Sequence, residues 1–502
     1  MISPKNTIDR RKFLEGIAAA SGITILPRHV LGGPGYTAPN DRLNIGGIGC
    51  GTQALRSVMT GLAERDDIQY TCVCDPNRES YNYVDWSRNG VRNSVREFLG
   101  DESWGENHPG IPGGREVARQ VLNAYYGQTS ESGTFDGVRS YADFRELFAE
   151  EEDLDAVVIV TPDHQHATIS IAAMKAGVAP IMHKPVANVL DEVRKTVNTA
   201  RETGLTTHLL AYSDREDYYT LDAWFKAGVI GNVREVHNWS ARPYWPQGFL
   251  DRPADQPPIP DGFDWDLWLG PVAQIPYHPL YTFATYRGWY DFGGGSMADM
   301  GNYSMWFVYR LLDLDAPTSA IGRPNTVSYL TDENVANHEV SQVSFPYAGK
   351  LQFTHAAKAN RPEVKTYWYS GGMTPNAPKE LLDAGEDLSR EGMMFVGDYG
   401  TIMCGFRGTD PRLLGRPTPD VNVGAVETVG GSDEWITAVK DGTQSLGSYL
   451  SVEPLAEATA LGGIAYRFPR ERLEFDSSSL QITNVSEANE LIYRNYRDGW
   501  QV

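Results

Sequence analysis

The sequence predicts an α/β protein of two domains, and three observations support this fold class. The chain has 502 residues, which exceeds one ordinary domain. Short continuous apolar runs, such as 155–160 and 178–182, alternate with longer segments of helical character. This alternation is typical of parallel strands that are buried on both faces. The third observation is a glycine-rich turn that follows the first apolar run, at 46–51.

Composition limits the ligands that the protein is expected to bind. The formal net charge is -21, which argues against nucleic acid, because a phosphate backbone requires a basic surface. A neutral or cationic small molecule, or a nucleotide held by backbone donors, remains compatible. Twelve Trp and 26 Tyr residues suit the flat faces of sugar rings, although many of them must fill the core.

The four cysteines predict neither a disulfide framework nor a metal site. Cys72 and Cys74 share one face of a predicted strand, Cys50 lies in the glycine turn, and Cys404 is isolated. All four are expected to be buried or nearly buried thiols, and no metal is expected.

The first 34 residues resemble a twin-arginine export signal followed by a linker. The pair Arg10-Arg11 is followed by Phe13-Leu14 and a short Ala/Gly-rich run without charge after Glu15. No stretch approaches the roughly 18 apolar residues of a membrane span. We therefore expect a periplasmic protein with no membrane span in its mature form. A cytoplasmic protein with an amphipathic N-terminal helix is the alternative.

The first strand leads into a loop that is typical of dinucleotide binding. Gly49 permits the tight turn, Gly51 lets the backbone approach a pyrophosphate, and the small Ala54 lets the next helix pack on the strand. Thr52 and Gln53 stand at the start of that helix, where free N–H groups and the helix dipole attract phosphate. The loop therefore predicts a Rossmann dinucleotide-binding domain.

The second strand, at 68–74, ends at Asp75, where the adenosine ribose of a dinucleotide would lie. A carboxylate there accepts a hydrogen bond from the 2′-hydroxyl and repels a 2′-phosphate. NAD is therefore the predicted cofactor and NADP the less favoured one, with Arg78 nearby tempering the preference. The polar, glycine-rich residues at about 80–135 indicate an insertion, either a helix pair or a lid. A helix is predicted next, at 141–149.

Polar residues follow the buried strand at 155–160, at the sheet edge where α/β proteins bind ligands. Thr161 and Pro162 are predicted to contact the cofactor, and His166 to lie beside the nicotinamide ribose. A metal site at His164 and His166 is the weaker hypothesis, because no companion cluster accompanies them.

The next strand, at 178–182, ends in His183-Lys184-Pro185, at the same sheet edge. The proline keeps the backbone of Lys184 out of the helical region, which fixes where the ammonium emerges. Lys184 is therefore predicted to face both the cofactor and the reacting hydroxyl. It could hold a positive charge beside a developing alkoxide, or accept the proton if its pKa is lowered.

These motifs together resemble the Gfo/Idh/MocA oxidoreductases, which include glucose-fructose oxidoreductase and inositol dehydrogenase. The matching pieces, which extend over nearly all of the chain after residue 40, are the loop at Gly49, 160–166, 184–185, 223–233, 293–301 and the closing segment 473–500. The resemblance implies a Rossmann domain at 41–187 and a C-terminal domain at 188–502. The second domain would be α/β, with a large open, mainly antiparallel sheet that binds substrate. A homo-oligomer formed through that sheet is likewise implied by the resemblance.

The resemblance also implies that Lys184 is the central catalytic residue and that Asp299 supports it. Asp299 and Tyr303 are four residues apart on a predicted helix and so share a face. The family usually has His where this chain has Tyr303, preceded by Asn302, and Glu where it has His183. Tyr303 is predicted to replace the family's histidine as proton donor, and His183 to alter the proton chemistry.

The segment from 239 to 290 is rich in aromatic residues and arginines, which suits stacking on pyranose faces and bonding to their hydroxyls. The predicted substrate-binding residues are Arg242, Trp245, Arg287, Trp289 and Asn302.

Three functions fit these features. The first is an exported oxidoreductase that moves a hydride between a secondary hydroxyl of a sugar, sugar derivative or glycoside and tightly bound NAD. The second is an NAD-dependent glycoside hydrolase that uses transient oxidation and elimination. The third is a non-catalytic sugar-binding protein.

Overall fold

The computed structural model of the protein describes residues 42–130 and 132–502. The predicted twin-arginine signal lies outside the described residues. Within the described ranges, none of the helices combines the length and the apolar character needed to cross a bilayer. The four cysteines are free and buried, as predicted.

The first sheet has six strands in the described part of the chain, and every neighbouring pair is parallel. Its strands are β1 (Leu43–Ile48), β2 (Ile68–Cys74), β3 (Arg139–Tyr141), β4 (Ala156–Ile159), β5 (Ala179–Met182) and β6 (His208–Leu209). Their spatial order is β3-β2-β1-β4-β5-β6. Two halves wound outward from β1 and β4 in this order form a Rossmann sheet, which confirms the first part of the predicted fold.

Helices cover both faces of this sheet, and every residue of β4 and β5 is buried. They are a π-helical segment (Ala54–Val58) continued by α1 (Met59–Ala63), then α2 (Gly90–Leu99), α3 (Arg115–Thr129), α4 (Phe144–Glu150), α5 (His166–Lys175) and α6 (Leu190–Thr203). Tyr141 belongs to β3 and not to the helix predicted from that residue, because α4 begins only after the cap residue Asp143, whose carboxylate accepts from the backbone N–H of Arg145.

The second sheet has nine strands in the described residues and is mixed but mostly antiparallel, as predicted. Its strands are β7 (Val233–Trp239), β8 (Ser319–Pro324), β11 (Gly349–His355), β12 (Val364–Ser370), β13 (Gly392–Gly397), β14 (Thr401–Cys404), β15 (Arg412–Leu413), β16 (Arg472–Asp476) and β17 (Gln481–Ile482). Only β7 and β12 among the adjacent strands run parallel. A separate hairpin consists of β9 (Val327–Leu330) and β10 (Ala336–Glu339).

The helices of the second half pack against this sheet and against the first domain. They are α7 (Glu216–Lys226), α8 (Trp265–Leu269), α9 (Asn302–Leu311), α10 (Lys379–Asp383), α11 (Gly431–Asp441) and α12 (Tyr449–Arg467). A π-helical segment, Met297–Gly301, leads directly into α9. Four short 3-10 turns lie at Asp163–Gln165, Pro279–Tyr281, Phe283–Gly288 and Ser486–Leu491.

The two halves of the chain are interleaved in sequence near their junction. The first sheet extends past the boundary expected at residue 187, because β6 pairs in parallel with β5. Helix α11, from the far end of the chain, buries Trp435 and Ile436 in the core cluster that contains β1 and β2. The domains are therefore held together by packing on several sides and not by a single linker.

Candidate active site

The glycine loop after β1 adopts a conformation that only glycine tolerates. Gly49 has φ of +91°, and a Cβ at this position would lie 2.6 Å from the carbonyl carbon and oxygen of Val160. Thr52 donates a hydrogen bond from Oγ1 to the carbonyl oxygen of Val84 at 2.8 Å. The loop is thereby joined on one side to β4 and on the other to the insertion.

Asp75, at the end of β2, supports the same loop. Its two carboxylate oxygens accept hydrogen bonds from the backbone N–H groups of Cys50 and Asn77, each at 2.8 Å. Burial raises the pKa of Asp75 to about 6, although these two hydrogen bonds act in the opposite direction. The residue lines the cleft, and each carboxylate oxygen can accept a further hydrogen bond.

A cleft extends from Asp75, past the glycine loop, to His183 and Arg287. Its lining includes the predicted cofactor residues Gly49, Gly51, Thr52, Gln53, Asp75, Thr161 and Pro162. Four buried polar atoms of its lining have no hydrogen-bond partner: Asn77 Oδ1, Thr161 Oγ1, Gln165 Oε1 and Arg287 Nε. A glycine cradle, a carboxylate at the far end and unsatisfied polar atoms fit a dinucleotide such as NAD.

Two aromatic rings from different domains meet over the cleft. Tyr83, from the insertion, lies 4.2 Å from the ring centroid of Phe283. Both rings line the cleft, together with Val84 and Trp86. Phe283 has φ of +52°, which is strained for a residue with a side chain and costs on the order of 1–3 kcal/mol. This pair is called the roof of the cleft below.

Lys184 and Asp299 form a buried ion pair beside His183 and Arg287, which line the cleft. Lys184 Nζ contacts Asp299 Oδ1, and the two residues are only 3% and 7% exposed. Arg287 Nε lies 3.4 Å from the same oxygen. Burial would raise the pKa of Asp299, but Lys184 and Arg287 lower it to about 2. Burial also lowers the pKa of Lys184, which Asp299 partly restores.

His183 and Tyr303 are hydrogen-bonded to each other. The distance from Tyr303 Oη to His183 Nε2 is 3.0 Å. Burial and the neighbouring Lys184 hold the pKa of His183 well below its usual value, so the imidazole is neutral. Burial and Asp299 raise the pKa of Tyr303, so its hydroxyl keeps the proton. The two positions that depart from the family pattern are thus direct partners.

The two histidines after β4 contact backbone carbonyl oxygens of neighbouring segments. His166 Nδ1 lies 2.6 Å from the carbonyl oxygen of Pro185, and its Nε2 lies 3.0 Å from that of Thr161. His166 therefore joins the end of β4 to the Lys184-Pro185 peptide and does not line the cleft. His164 contacts the carbonyl oxygens of Trp268 and Phe292, and burial lowers its pKa to about 3. No group of residues in 42–130 and 132–502 is arranged to hold a metal ion.

Two predicted substrate residues occupy other surroundings. Trp289 is almost fully buried, stacks on Phe249 at 5.0 Å and donates from its indole N–H to the carbonyl oxygen of Leu280. It is a core residue and not part of the cleft, because this aromatic segment packs largely on itself. Asn302 is also buried, and its amide donates to the carbonyl oxygen of Ala298 one turn earlier.

The remaining predicted substrate residues lie close to the ion pair. Arg287 stands over the rings of Tyr286 and Trp245, at 4.6 and 5.6 Å, and Trp245 is buried. Arg242 lies over Tyr244 at 4.1 Å.

Sequence reasoning assigned no role to Asp163 or Arg407. The carboxylate of Asp163 accepts from the backbone N–H of Gly294 at 3.0 Å, which ties the loop after β4 to the turn before Asp299. Arg407 lies over the ring of Tyr303 at 4.4 Å. Asp163 stands within the 160–166 motif, which was a usable signal, whereas nothing in the sequence around Arg407 indicated its position.

A parallel Rossmann sheet facing an open mixed sheet, with a lysine-aspartate pair where the domains meet, defines a two-domain dinucleotide-binding protein. Two family models match the chain. Residues 116–210 match an oxidoreductase family described as an NAD-binding Rossmann fold, and residues 232–344 match its C-terminal α/β domain. These two regions match the Gfo/Idh/MocA oxidoreductase family.

Two curated proteins are similar to part of the chain. Levoglucosan dehydrogenase of Pseudarthrobacter phenanthrenivorans is 30% identical over 114 residues, which make up 21% of this chain and 29% of that protein. Inositol 2-dehydrogenase 1 of Saccharopolyspora erythraea is 28% identical over 130 residues, 26% of this chain and 38% of that protein. The matched segments therefore span less than half the length of either relative.

A solved structure shares the fold over most of the chain. The WlbA dehydrogenase from Bordetella pertussis, crystallised with NADH and UDP-GlcNAcA, aligns with a TM-score of 0.51 at 13% identity. The alignment covers 87% of this chain and 99% of that one. At this identity the likeness concerns the fold.

Proposed function

We propose that the protein is an NAD-dependent oxidoreductase that transfers a hydride between a secondary hydroxyl of a sugar, sugar derivative or glycoside and the cofactor. The observation that carries the proposal is the buried Lys184–Asp299 pair, which adjoins His183 and Arg287 in the lining of a cleft with dinucleotide-binding features. The relatives named levoglucosan dehydrogenase and inositol 2-dehydrogenase support a polyhydroxylated substrate.

A bound NAD would supply the acceptor for the hydride of the alcohol carbon. Lys184 then has the task of binding the reacting oxygen and stabilising the negative charge that develops there. Asp299, with its low pKa, remains ionised and keeps the ammonium charged and in place. Arg287, on the other side of Asp299, adds positive charge without needing to move.

The hydroxyl proton has a separate route through Tyr303 and His183. Because Asp299 holds a proton on Lys184, we assign proton acceptance to this second pair. The substrate hydroxyl gives its proton to Tyr303 Oη while the phenol gives its own to Nε2 of the neutral His183. His183 lines the cleft, which gives the proton a way out to solvent.

We further propose that the cofactor is NAD and that it is held tightly. Asp75 supports NAD over NADP, since its carboxylate would face the 2′ position of the adenosine ribose. The roof of Tyr83 and Phe283 supports retention, because both rings line the cleft and would pack against a bound cofactor.

Mass spectrometry of the small molecules released from the purified protein, followed by a panel of sugars, tests this function. NAD is the expected cofactor. Lys184→Ala should abolish sugar-dependent reduction while the cofactor stays bound, and Lys175→Ala, on the exposed part of α5, should leave turnover unchanged. Undiminished oxidation by Lys184→Ala would overturn the assignment.

A glycoside hydrolase that uses NAD transiently is the second candidate. It is favoured by the presence of two separate proton-carrying pairs, Lys184–Asp299 and His183–Tyr303, because elimination needs one group to remove a proton and another to protonate the leaving oxygen. Product analysis separates the two functions. Free reducing sugar without net NADH indicates the hydrolase, and a keto sugar indicates the dehydrogenase.

Export to the periplasm through the twin-arginine pathway is also part of the proposal, supported by the Arg10-Arg11 motif. Replacing both arginines with lysine should retain the protein in the cytoplasm, as measured by cell fractionation. Equal periplasmic yield from the variant would contradict this route.

A further inference from the structure

The immediate surroundings of Lys184 are positively charged, although the whole protein carries a net charge of -21. Three arginines join the lysine there: Arg242 after β7, Arg287 in a 3-10 turn, and Arg407 after β14. They come from three separate parts of the second domain. Such convergence does not follow from the chain's composition, which is strongly acidic.

Two of the arginines contact residues of the candidate site, and the third acts on it electrostatically. Arg287 lies 3.4 Å from Asp299 and lines the cleft. Arg407 lies 4.4 Å from the ring centroid of Tyr303. Arg242 stacks over Tyr244 and is near enough to lower the pKa of both Asp299 and Tyr303, after larger effects of burial and other charges.

The carboxylates nearby do not balance this charge. Asp299 is shared between Lys184 and Arg287. Asp163 accepts from a backbone N–H group, and it is the second carboxylate that acts on Lys184 and Arg287. Four cations therefore face two carboxylates.

Two of the arginines also lack partners. Across residues 42–130 and 132–502, neither Arg242 nor Arg407 forms an ion pair with a carboxylate. Glu391, which lies near Ala241, accepts at Oε1 from the hydroxyl of Ser240 and the N–H of Ala241, at 2.7 and 3.1 Å, and forms no ion pair with Arg242 in the described residues. The Nε atoms of Arg242 and Arg287 are buried and have no hydrogen-bond acceptor.

A surplus of positive charge that is partly withdrawn from solvent is unfavourable unless something supplies the missing anion. The oxidised nicotinamide ring carries positive charge and so does not supply it. A neutral sugar would leave the guanidinium groups unpaired, whereas a carboxylate matches their planar donor geometry.

We propose that the substrate is an acidic sugar, a uronate or a glycoside of one, whose carboxylate is bound by Arg242 and Arg407 while Lys184 binds the reacting hydroxyl. This inference rests on the proposed function and names the substrate class of the same site. It revises the expectation from net charge that the ligand is neutral or cationic, because local charge and not total charge determines what a buried site accepts.

The test compares each acid with its own uncharged form. D-glucuronate, D-galacturonate and D-mannuronate, and the methyl ester of each, are titrated into the NADH-loaded protein by calorimetry. At least one acid should bind about tenfold or more tightly than its ester, and its affinity should fall with added salt. Arg242→Gln and Arg407→Gln should each lower affinity for that acid by about tenfold and leave the ester unchanged.

Arg412→Gln is the matched control, because Arg412 lies on the edge strand β15 and pairs with Glu386. It should change neither affinity. The acidic-sugar assignment would be overturned if every acid bound as tightly as its ester, or if the Arg242 and Arg407 variants lost equal affinity for both ligands. Either result would leave the oxidoreductase proposal intact. Failure of the protein to bind any sugar, charged or neutral, while it retains NADH would overturn both.

Discussion

Replacing Asp299 with asparagine tests the reasoning about the buried ion pair. Asparagine has nearly the same shape, so the change removes charge and leaves the packing. Breaking one side of a buried ion pair costs about 3–5 kcal/mol of folding stability. Lys184 can limit the loss by releasing its proton, which costs about 4.6 kcal/mol at pH 7 for a lysine of ordinary pKa. We expect a loss of about 3–5 kcal/mol at pH 7.

The loss should shrink as the pH rises. In Asp299→Asn the buried lysine is neutral in the folded protein and charged in the unfolded one, so the unfolded state binds more protons. Stability of the variant therefore increases with pH up to about 10.4. Between pH 7 and 9.5 the difference in unfolding free energy between the variant and the unaltered protein should narrow by up to about 3 kcal/mol.

Urea unfolding followed by tryptophan fluorescence at both pH values measures this effect. The double variant Lys184→Met with Asp299→Asn should recover much of the stability, because no unpaired charge remains buried. Asp291→Asn, which removes the partly exposed partner of Arg252, is the control and should cost less than about 1 kcal/mol. A loss for Asp299→Asn that is below 1 kcal/mol, or that does not depend on pH, would refute the argument.

Three further predictions concern the cofactor and the proton route. Gly49→Ala should weaken NAD binding about tenfold or more in a fluorescence titration, because the new Cβ meets the backbone of Val160. The control variant Gly61→Ala, which has open space around the new Cβ, should bind NAD normally. NAD affinity should decline as the pH falls through about 6, where Asp75 becomes protonated, and this decline should be absent in Asp75→Asn. A decline that persists in the variant would contradict the role of Asp75. Tyr303→Phe should lower kcat about 100-fold or more without changing NAD affinity; steady-state kinetics that show no loss would exclude the proposed proton route.

The elements that local pattern specifies were predictable from the sequence. The strand Ile68–Cys74 has the bounds that its apolar run indicated. The spacing of Asp299 and Tyr303 predicted a shared helical face, and both side chains do point toward the Lys184 segment. The short strand Arg139–Tyr141 escaped prediction, because three residues at a sheet edge carry no periodicity to read.

Contacts between distant segments were not predictable in the same way. Nothing local to Tyr83 or Phe283 indicates that their rings meet, since the contact depends on how two domains pack. Arg407 reaches Tyr303 for the same reason. Trp289 was misplaced because an aromatic residue in a ring-rich segment serves packing as readily as ligand binding, and composition does not distinguish the two uses.

The roof over the cleft would link cofactor binding to the stability of both domains. Tyr83 belongs to the first domain and Phe283 to the second, so a dinucleotide beneath them would contact both and add to the interface that joins them. Stability gained from the ligand would then be shared by the whole molecule, and melting of the two domains would become more cooperative. The twin-arginine route carries proteins that are already folded. Under the proposed export, completion of the fold around NAD would select loaded molecules for release, and each would leave the cytoplasm with its own supply of cofactor.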